Sequence, residues 1–231
     1  MSDRGEGDNP FFTPEGPGGL HERLAALHAP VDGRELARRE LADAVRELVQ
    51  ALAERWPTEE AMAHAARLAR AAAAELVAAG PRVRDHGDYV SHSPVVGRAN
   101  PIAPPLDVWL GDDDTVVGVG TLGDAYEGPP GHVHGGFVAA MLDELLGFVQ
   151  SLAGNPGMTA RLSIAFRSPT PLHRPLRLEA RLLKVDGRKI LTKATIHDGD
   201  RLCAEADGLF VSIGREAFLA MAAERERRHD V

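Results

Sequence analysis

Cysteine is almost missing: Cys203 is the one thiol in 231 residues. A lone cysteine excludes a disulfide framework and fits a reducing compartment, so a cytoplasmic location is expected. A basic excess is missing too. Lys and Arg number 26 against 34 Asp and Glu, a formal charge of -8, which argues against a general nucleic-acid binder. The N-terminus carries acids and glycines without an apolar h-region, so no secretory signal is expected. No apolar run has the length and purity of a membrane span. The length suits one domain with appendages, or at most two small ones.

What is present is concentrated between Tyr126 and Gly154, YEGPPGHVHGGFVAAMLDELLGFVQSLAG. A loop, Gly128-Pro129-Pro130-Gly131, leads to His134-Gly135-Gly136 and then an apolar run whose polar members, as far as Val149, are Asp143 and Glu144. A helix apolar on nearly every face is a buried one, and a membrane tolerates two acids badly. The pattern therefore predicts a core helix, about 27 Å long, with sheet wrapped round it. At about 100° per residue, Asp143 falls on nearly the same face as Gly136, while Glu144 turns away toward a local donor. That stripe begins at the helix N-terminus, where free N–H groups and the dipole favour negative charge. Its glycine end and its carboxylate are roughly 10–12 Å apart along the axis. Both cannot touch one reacting carbonyl within a chain. Two such helices, antiparallel across a two-fold axis, bring the glycine end of one to the Asp of the other. The spacing predicts a dimer with shared sites.

Upstream, residues 1–33 mix Gly, Pro and charge without periodicity, which predicts a disordered tail. From Arg34 to Trp56, Ala37, Leu41, Val45, Leu48 and Leu52 recur at helical spacing. Pro57 stops that helix and Thr58 caps a second one, which ends at Gly80-Pro81. The pair makes a helical hairpin over 34–80, read as a lid or oligomer contact. Four prolines (Pro94, Pro101, Pro104 and Pro105) make 81–105 an irregular connector. Leu106 to Leu110 and Thr115 to Leu122 read as strands joined at Gly111-Asp112-Asp113-Asp114. After the helix and a turn at Gly154-Asn155-Pro156-Gly157 come four strands. In the first, Ala160, Leu162, Ile164 and Phe166 face the helix while Thr159, Arg161, Ser163, Ala165 and Arg167 face a neighbouring subunit or ligand. In the second, Leu176, Leu178, Ala180 and Leu182 alternate with charges. The last two, about 188–198 and 201–213, meet at Asp198-Gly199-Asp200, and 214–231 read as a C-terminal helix. The order gives an α+β class in which a sheet over 106–213 wraps one helix.

Several motifs lie in register along this stretch. His-Gly-Gly, six residues and an acid (HGGFVAAMLD, 134–143) are followed by Met158-Thr159-Ala160 and a strand ending in Arg167-Ser168-Pro169. Lys184-Val185-Asp186-Gly187-Arg188-Lys189 closes the second long strand. Together, from about Gly128 to Ile213, they resemble the hotdog-fold acyl-CoA thioesterases, in the branch of phenylacetyl-CoA-type and thioesterase superfamily member 4-like enzymes. The resemblance implies a hotdog fold, an antiparallel sheet round a long central helix, in a homodimer or dimer of dimers. It implies hydrolysis of acyl-CoA to a free acid and coenzyme A, without metal or redox cofactor.

Thioester hydrolysis needs a polarised carbonyl and an activated water or carboxylate nucleophile. Gly135 and Gly136 offer amides at the helix start and, lacking Cβ, admit close approach. By the resemblance, Asp143 is general base or nucleophile, Thr159 holds its water and His134 helps to orient the loop. From Thr159 to Lys193, nine Lys or Arg face two acids, Glu179 and Asp186, a local basic excess suited to phosphates. Within it Arg167, Arg188 and Lys189 match basic contacts to coenzyme A in the resembled enzymes. Where relatives carry Asn or Gln upstream of His-Gly-Gly, this chain reads Glu127-Gly128-Pro129-Pro130. Phe137, Met141, Leu145 and Phe148 are the expected acyl pocket. Two other functions share the pattern: a hotdog hydroxyacyl-thioester dehydratase using His134 and Asp143, and a non-catalytic acyl-CoA sensor with the hairpin as output module.

Overall fold

The computed structural model describes residues 24, 33–80, 89–154 and 157–213. Its elements are α1 (Gly33–Glu54), α2 (Glu59–Ala79), a single turn α3 (Tyr89–His92), β1 (Leu106–Leu110), β2 (Thr115–Thr121), α4 (Gly135–Gln150), β3 (Gly157–Phe166), β4 (Pro175–Asp186), β5 (Lys189–Asp198) and β6 (Arg201–Ser212). The expected tail apart from Leu24 and Gly33, residues 81–88 of the expected connector and the whole expected C-terminal helix lie outside the described residues; Leu24 is buried in the core and Gly33 opens α1.

The six strands form one antiparallel sheet in the order β1-β2-β4-β5-β6-β3, with α4 packed on one face. This is the hotdog fold. Its helix side is filled by every second residue: Leu176, Leu178 and Ala180 from β4 and Ile190, Ala194 and Ile196 from β5 are all buried. Met141, Leu142, Leu145, Leu146 and Val149 of α4 meet them and are themselves fully buried. Each such side chain contributes about 1.5–3 kcal/mol by leaving water. One expectation needs correction. The stretch Gly135–Ala153, with mean hydropathy 1.4, is long and apolar enough to cross a membrane by length and composition. Burial against the sheet accounts for that apolarity, because a helix in a core is selected like one in lipid.

A second face of α4 is met by the described part of the connector, residues 89–105, which is folded more tightly than its prolines suggest. Ser93, fully buried, receives the amides of Val95 and Val96 on Oγ and donates to Glu144 Oε1 at 2.6 Å. Glu144 thus meets a local donor, contributed by a segment 51 residues away. Asn100 closes the next turn, donating to His92 O and accepting from Ile102 N.

The third face of α4 lies open. Gly136 is exposed and Ala139, Ala140, Asp143 and Gly147 are half-buried along it. Beside it runs β3, which pairs with β6 alone and so forms a free sheet edge of ten residues.

Turn chemistry is local and legible. Gly187 and Gly199 take φ of +58 in the β4–β5 and β5–β6 turns, where only glycine is free of strain. Thr58 caps α2 by accepting from Ala61 N at 3.3 Å. No residue of α2 is buried, whereas α1 is pinned to the core by Arg46 and Gln50.

Candidate active site

The loop that delivers His134 is stitched to itself. His134 N donates to Tyr126 O at 2.9 Å, Gly128 N to His132 O at 2.9 Å, and Glu127 bridges Val133. A Cβ at Gly128 would stand 2.7 Å from His134 Cα, so only glycine lets the two arms of the loop pass. The Glu127 carboxylate accepts from Gly131 N at 2.6 Å. Glu127, upstream of His-Gly-Gly, is therefore spent on holding the loop.

His134 is the N-cap of α4, and its ring Nδ1 accepts the Gly136 N–H at 3.0 Å. A ring nitrogen that accepts has no proton, so the neutral imidazole carries its hydrogen on Nε2. This alters the expectation for the glycine pair. The Gly136 amide already has a partner, while Gly135 N–H, in the first turn, has no acceptor within the helix. A methyl group on Gly135 would lie 3.5 Å from the Phe166 ring, so the helix start adjoins the far end of β3.

At the other end of β3, Thr159 Oγ1 donates to Asp143 Oδ1 at 3.2 Å. Strict alternation predicts Thr159 on the outer side, and a bulge corrects it. Thr159 pairs with the buried Phe210, the register then skips Ala160, and Arg161 pairs with Leu209. The extra residue lets both Thr159 and Leu162 face the helix. Phe166 also leans to the helix start yet is 59% exposed, because nothing among the described residues covers the open flank.

The basic residues separate into engaged and available ones. Arg167 makes two hydrogen bonds to Glu205 Oε1, at 2.9 and 2.6 Å, and Lys193 reaches Glu205 Oε2 at 2.8 Å. Those two cations hold the Glu205 carboxyl below the usual carboxylate range, the Lys193 hydrogen bond being the larger cause. Arg174, Arg177 and Lys184 are likewise paired with Asp198, Glu179 and Asp186. Arg188 gives Nε to Ser212 O, and neither it nor Lys189 pairs with a carboxylate among the described residues. Lys189 and Met158 flank Val211 in one cross-strand row, about 10 Å from end to end. Arg188 and Lys189 therefore sit at the Asp143–Thr159 end of the sheet and Arg167 at the opposite end.

Sequence reasoning missed the Glu205 clamp and the Ser93–Glu144 contact, since both join segments with no common periodicity. Of the four residues expected to line an acyl pocket, Met141, Leu145 and Phe148 are 0, 0 and 3% exposed, packed into the core of the single chain, while Phe137 lines a cleft. Phe137 sits against Tyr126, edge to face at 4.9 Å. Burial raises the Tyr126 phenol above its ordinary pKa, partly offset by the Arg46 charge.

Residues 130–205 match the model of the Thioesterase superfamily. A crystal structure of a thioesterase superfamily protein superposes with TM-score 0.70 at 37% identity, covering 75% of this chain and 94% of that one. Residues 106–213 alone cannot fill that share, so the likeness extends into the N-terminal helices. Among curated proteins, the acyl-coenzyme A thioesterase THEM4 of Xenopus laevis is 36% identical over 93 residues, 39% of this chain and 42% of that protein. THEM4 of Bos taurus is 38% identical over 96 residues, 41% of this chain and 39% of that protein. The chain thus spans about two fifths of the length of the curated relatives it matches. With the helix-wrapped sheet, the His-Gly-Gly cap and a structural relative matched over almost its whole length, this chain belongs to the thioesterase superfamily and has its hotdog fold.

Proposed function

We propose that the chain hydrolyses acyl-coenzyme A thioesters at sites shared between two copies. The observation that carries this reading is the Asp143–Thr159 hydrogen bond at one end of the edge strand β3, whose other end adjoins Gly135. If two β3 edges pair antiparallel, the Thr159 end of one lies beside the Phe166 end of the other. The carboxylate of one subunit then faces the helix N-terminus of its partner. The small residues beside Asp143 on α4 favour this. A Cβ at Gly147 would meet nothing within 4 Å, so a partner helix has room to approach closely.

In this arrangement water is held by the Asp143 carboxylate and the Thr159 hydroxyl. Asp143 takes a proton as the water oxygen bonds to the thioester carbon, and the carbonyl oxygen gathers charge against the partner's Gly135 amide and helix dipole. The His134 Nε2–H is a second donor at that end. Collapse of the intermediate breaks the C–S bond, and the proton on Asp143 leaves with the thiol. Arg188 and Lys189, two strands from Thr159, receive the phosphates of coenzyme A, while Arg167 first has to give up Glu205. No step draws on a metal or redox group. The names of the curated relatives support the thioester class of substrate.

The test uses thiol release from a series of acyl-CoA thioesters, with two inactive variants mixed. Asp143→Asn and Gly135→Val are each expected to be inactive alone. After co-refolding, hybrid dimers regain one intact site in two. Absence of any regained activity in hybrids shown to form would rule out the shared site. Absence of thiol release by the unaltered chain would rule out the hydrolase.

A further inference from the structure

With Met141, Leu145 and Phe148 sealed in the core, a cleft among the described residues lies elsewhere. Helix α1 stands over the core and leaves a cleft of about 710 Å³ between them. Val49 and Ala51 of α1 form one wall, and Ile102, Pro105, Tyr126 and Phe137 form the other. The volume falls within the roughly 300–1,000 Å³ typical of small-molecule sites. Charged Glu47, Glu54 and Arg55 also line the cleft and Arg46 Nε is buried without a partner among the described residues, but several of its polar groups are engaged. Tyr126 Oη donates to Ala103 O at 3.1 Å, Arg46 Nη2 donates to Arg98 O at 2.7 Å, and Gln50 Oε1 accepts from Ala125 N at 3.3 Å. His173 at the rim is paired with Asp124 at 3.0 Å. The helix is therefore held by polar pins above a space whose walls are mainly apolar, with charged groups from α1 along one side. The apolar walls suit a hydrocarbon.

We infer that this cleft binds the hydrocarbon tail of the substrate and that α1 is the wall that sets the accepted chain length. Phe137, one lining residue, stands two residues past Gly135 in α4, within one helical turn of the amide assigned to the carbonyl oxygen though on the Glu144 side of the helix, so a tail seated there has to turn round the helix start to present its thioester. The link to catalysis rests on the hydrolase reading above; the binding of an apolar chain does not. The inference also gives α1 a task that the sheet and α4 leave open.

Ile102 is 65% exposed and Ala51 is exposed, so a large side chain at either narrows the cleft without entering the core. Thiol release is compared for acetyl-, octanoyl- and dodecanoyl-CoA in the unaltered chain, Ile102→Trp and Ala51→Trp. In parallel, binding of cis-parinaric acid is followed by its fluorescence. Either tryptophan is expected to lower kcat/KM for dodecanoyl-CoA at least tenfold, to leave acetyl-CoA within twofold and to weaken parinaric acid binding at least tenfold. An equal effect on all three thioesters, or unchanged parinaric acid binding in both variants, overturns the inference. So does an unaltered chain that binds no parinaric acid. If no thioester is cleaved but parinaric acid binds and is lost in the variants, the cleft stands and the hydrolase reading falls.

Discussion

Replacing Asp143 by Asn is the sharpest perturbation available, because it removes basicity and almost nothing else. The amide oxygen can still accept from Thr159 Oγ1, now at 3.2 Å from the carboxylate. Asp143 is half-buried, and at most the net value of one hydrogen bond, about 0.5–1.5 kcal/mol, is at stake for stability. The melting temperature is expected to shift by no more than about 5 °C. The rate is another matter. Loss of a positioned general base costs about 10² to 10⁴ in kcat, or roughly 2.7–5.4 kcal/mol of barrier. Two measurements on the same preparation separate these effects: thiol release from octanoyl-CoA and thermal unfolding. A variant that unfolds normally and turns over within threefold of the parent refutes the assignment of Asp143. A variant that loses both rate and more than about 3 kcal/mol of stability shows instead a structural carboxylate.

Further outcomes follow from particular contacts. Thr159→Ala is expected to lower kcat about ten- to a hundredfold with KM little changed, since in the proposed mechanism the hydroxyl positions water and does not hold the substrate; a change confined to KM would contradict this. Gly128→Ala forces a methyl group against His134 Cα and is expected to cost about 1–3 kcal/mol by chemical denaturation, together with loss of activity. Leu145→Ala empties a fully buried position and is expected to cost about 2–5 kcal/mol in the same measurement. The Glu205 carboxyl is depressed by Lys193 and Arg167 in the folded state. Its contribution to stability is therefore present above the ordinary carboxylate pKa and lost as pH falls through the lower, folded value. Glu205→Gln is expected to flatten the stability profile in that acid range and leave the neutral range unchanged.

How much of this was legible in the residues alone depends on the range of the interactions. Local chemistry was. The prolines and glycines mark the turns, Thr58 with Glu59 and Glu60 marks the start of α2, and the apolar run after His134 marks the buried helix, because each depends on neighbours within a few positions. The placing of Asp143 and Gly136 on one helical stripe was also legible, since it needs only the helical repeat.

Tertiary structure decided the rest. Pairing of β3 with β6 makes β3 an edge, and nothing in either strand's alternation specifies that partner. The bulge at Ala160 turns Thr159 inward to Asp143, reversing what strict alternation implies, because one extra residue flips every side chain before it. The Gly136 amide belongs to His134, and Arg167 to Glu205 across 38 residues of sequence. Sequence periodicity records which face a residue occupies along its own element. It does not record what stands opposite, and at this site the choice of neighbour fixes which amide, which cation and which cavity are left for a substrate.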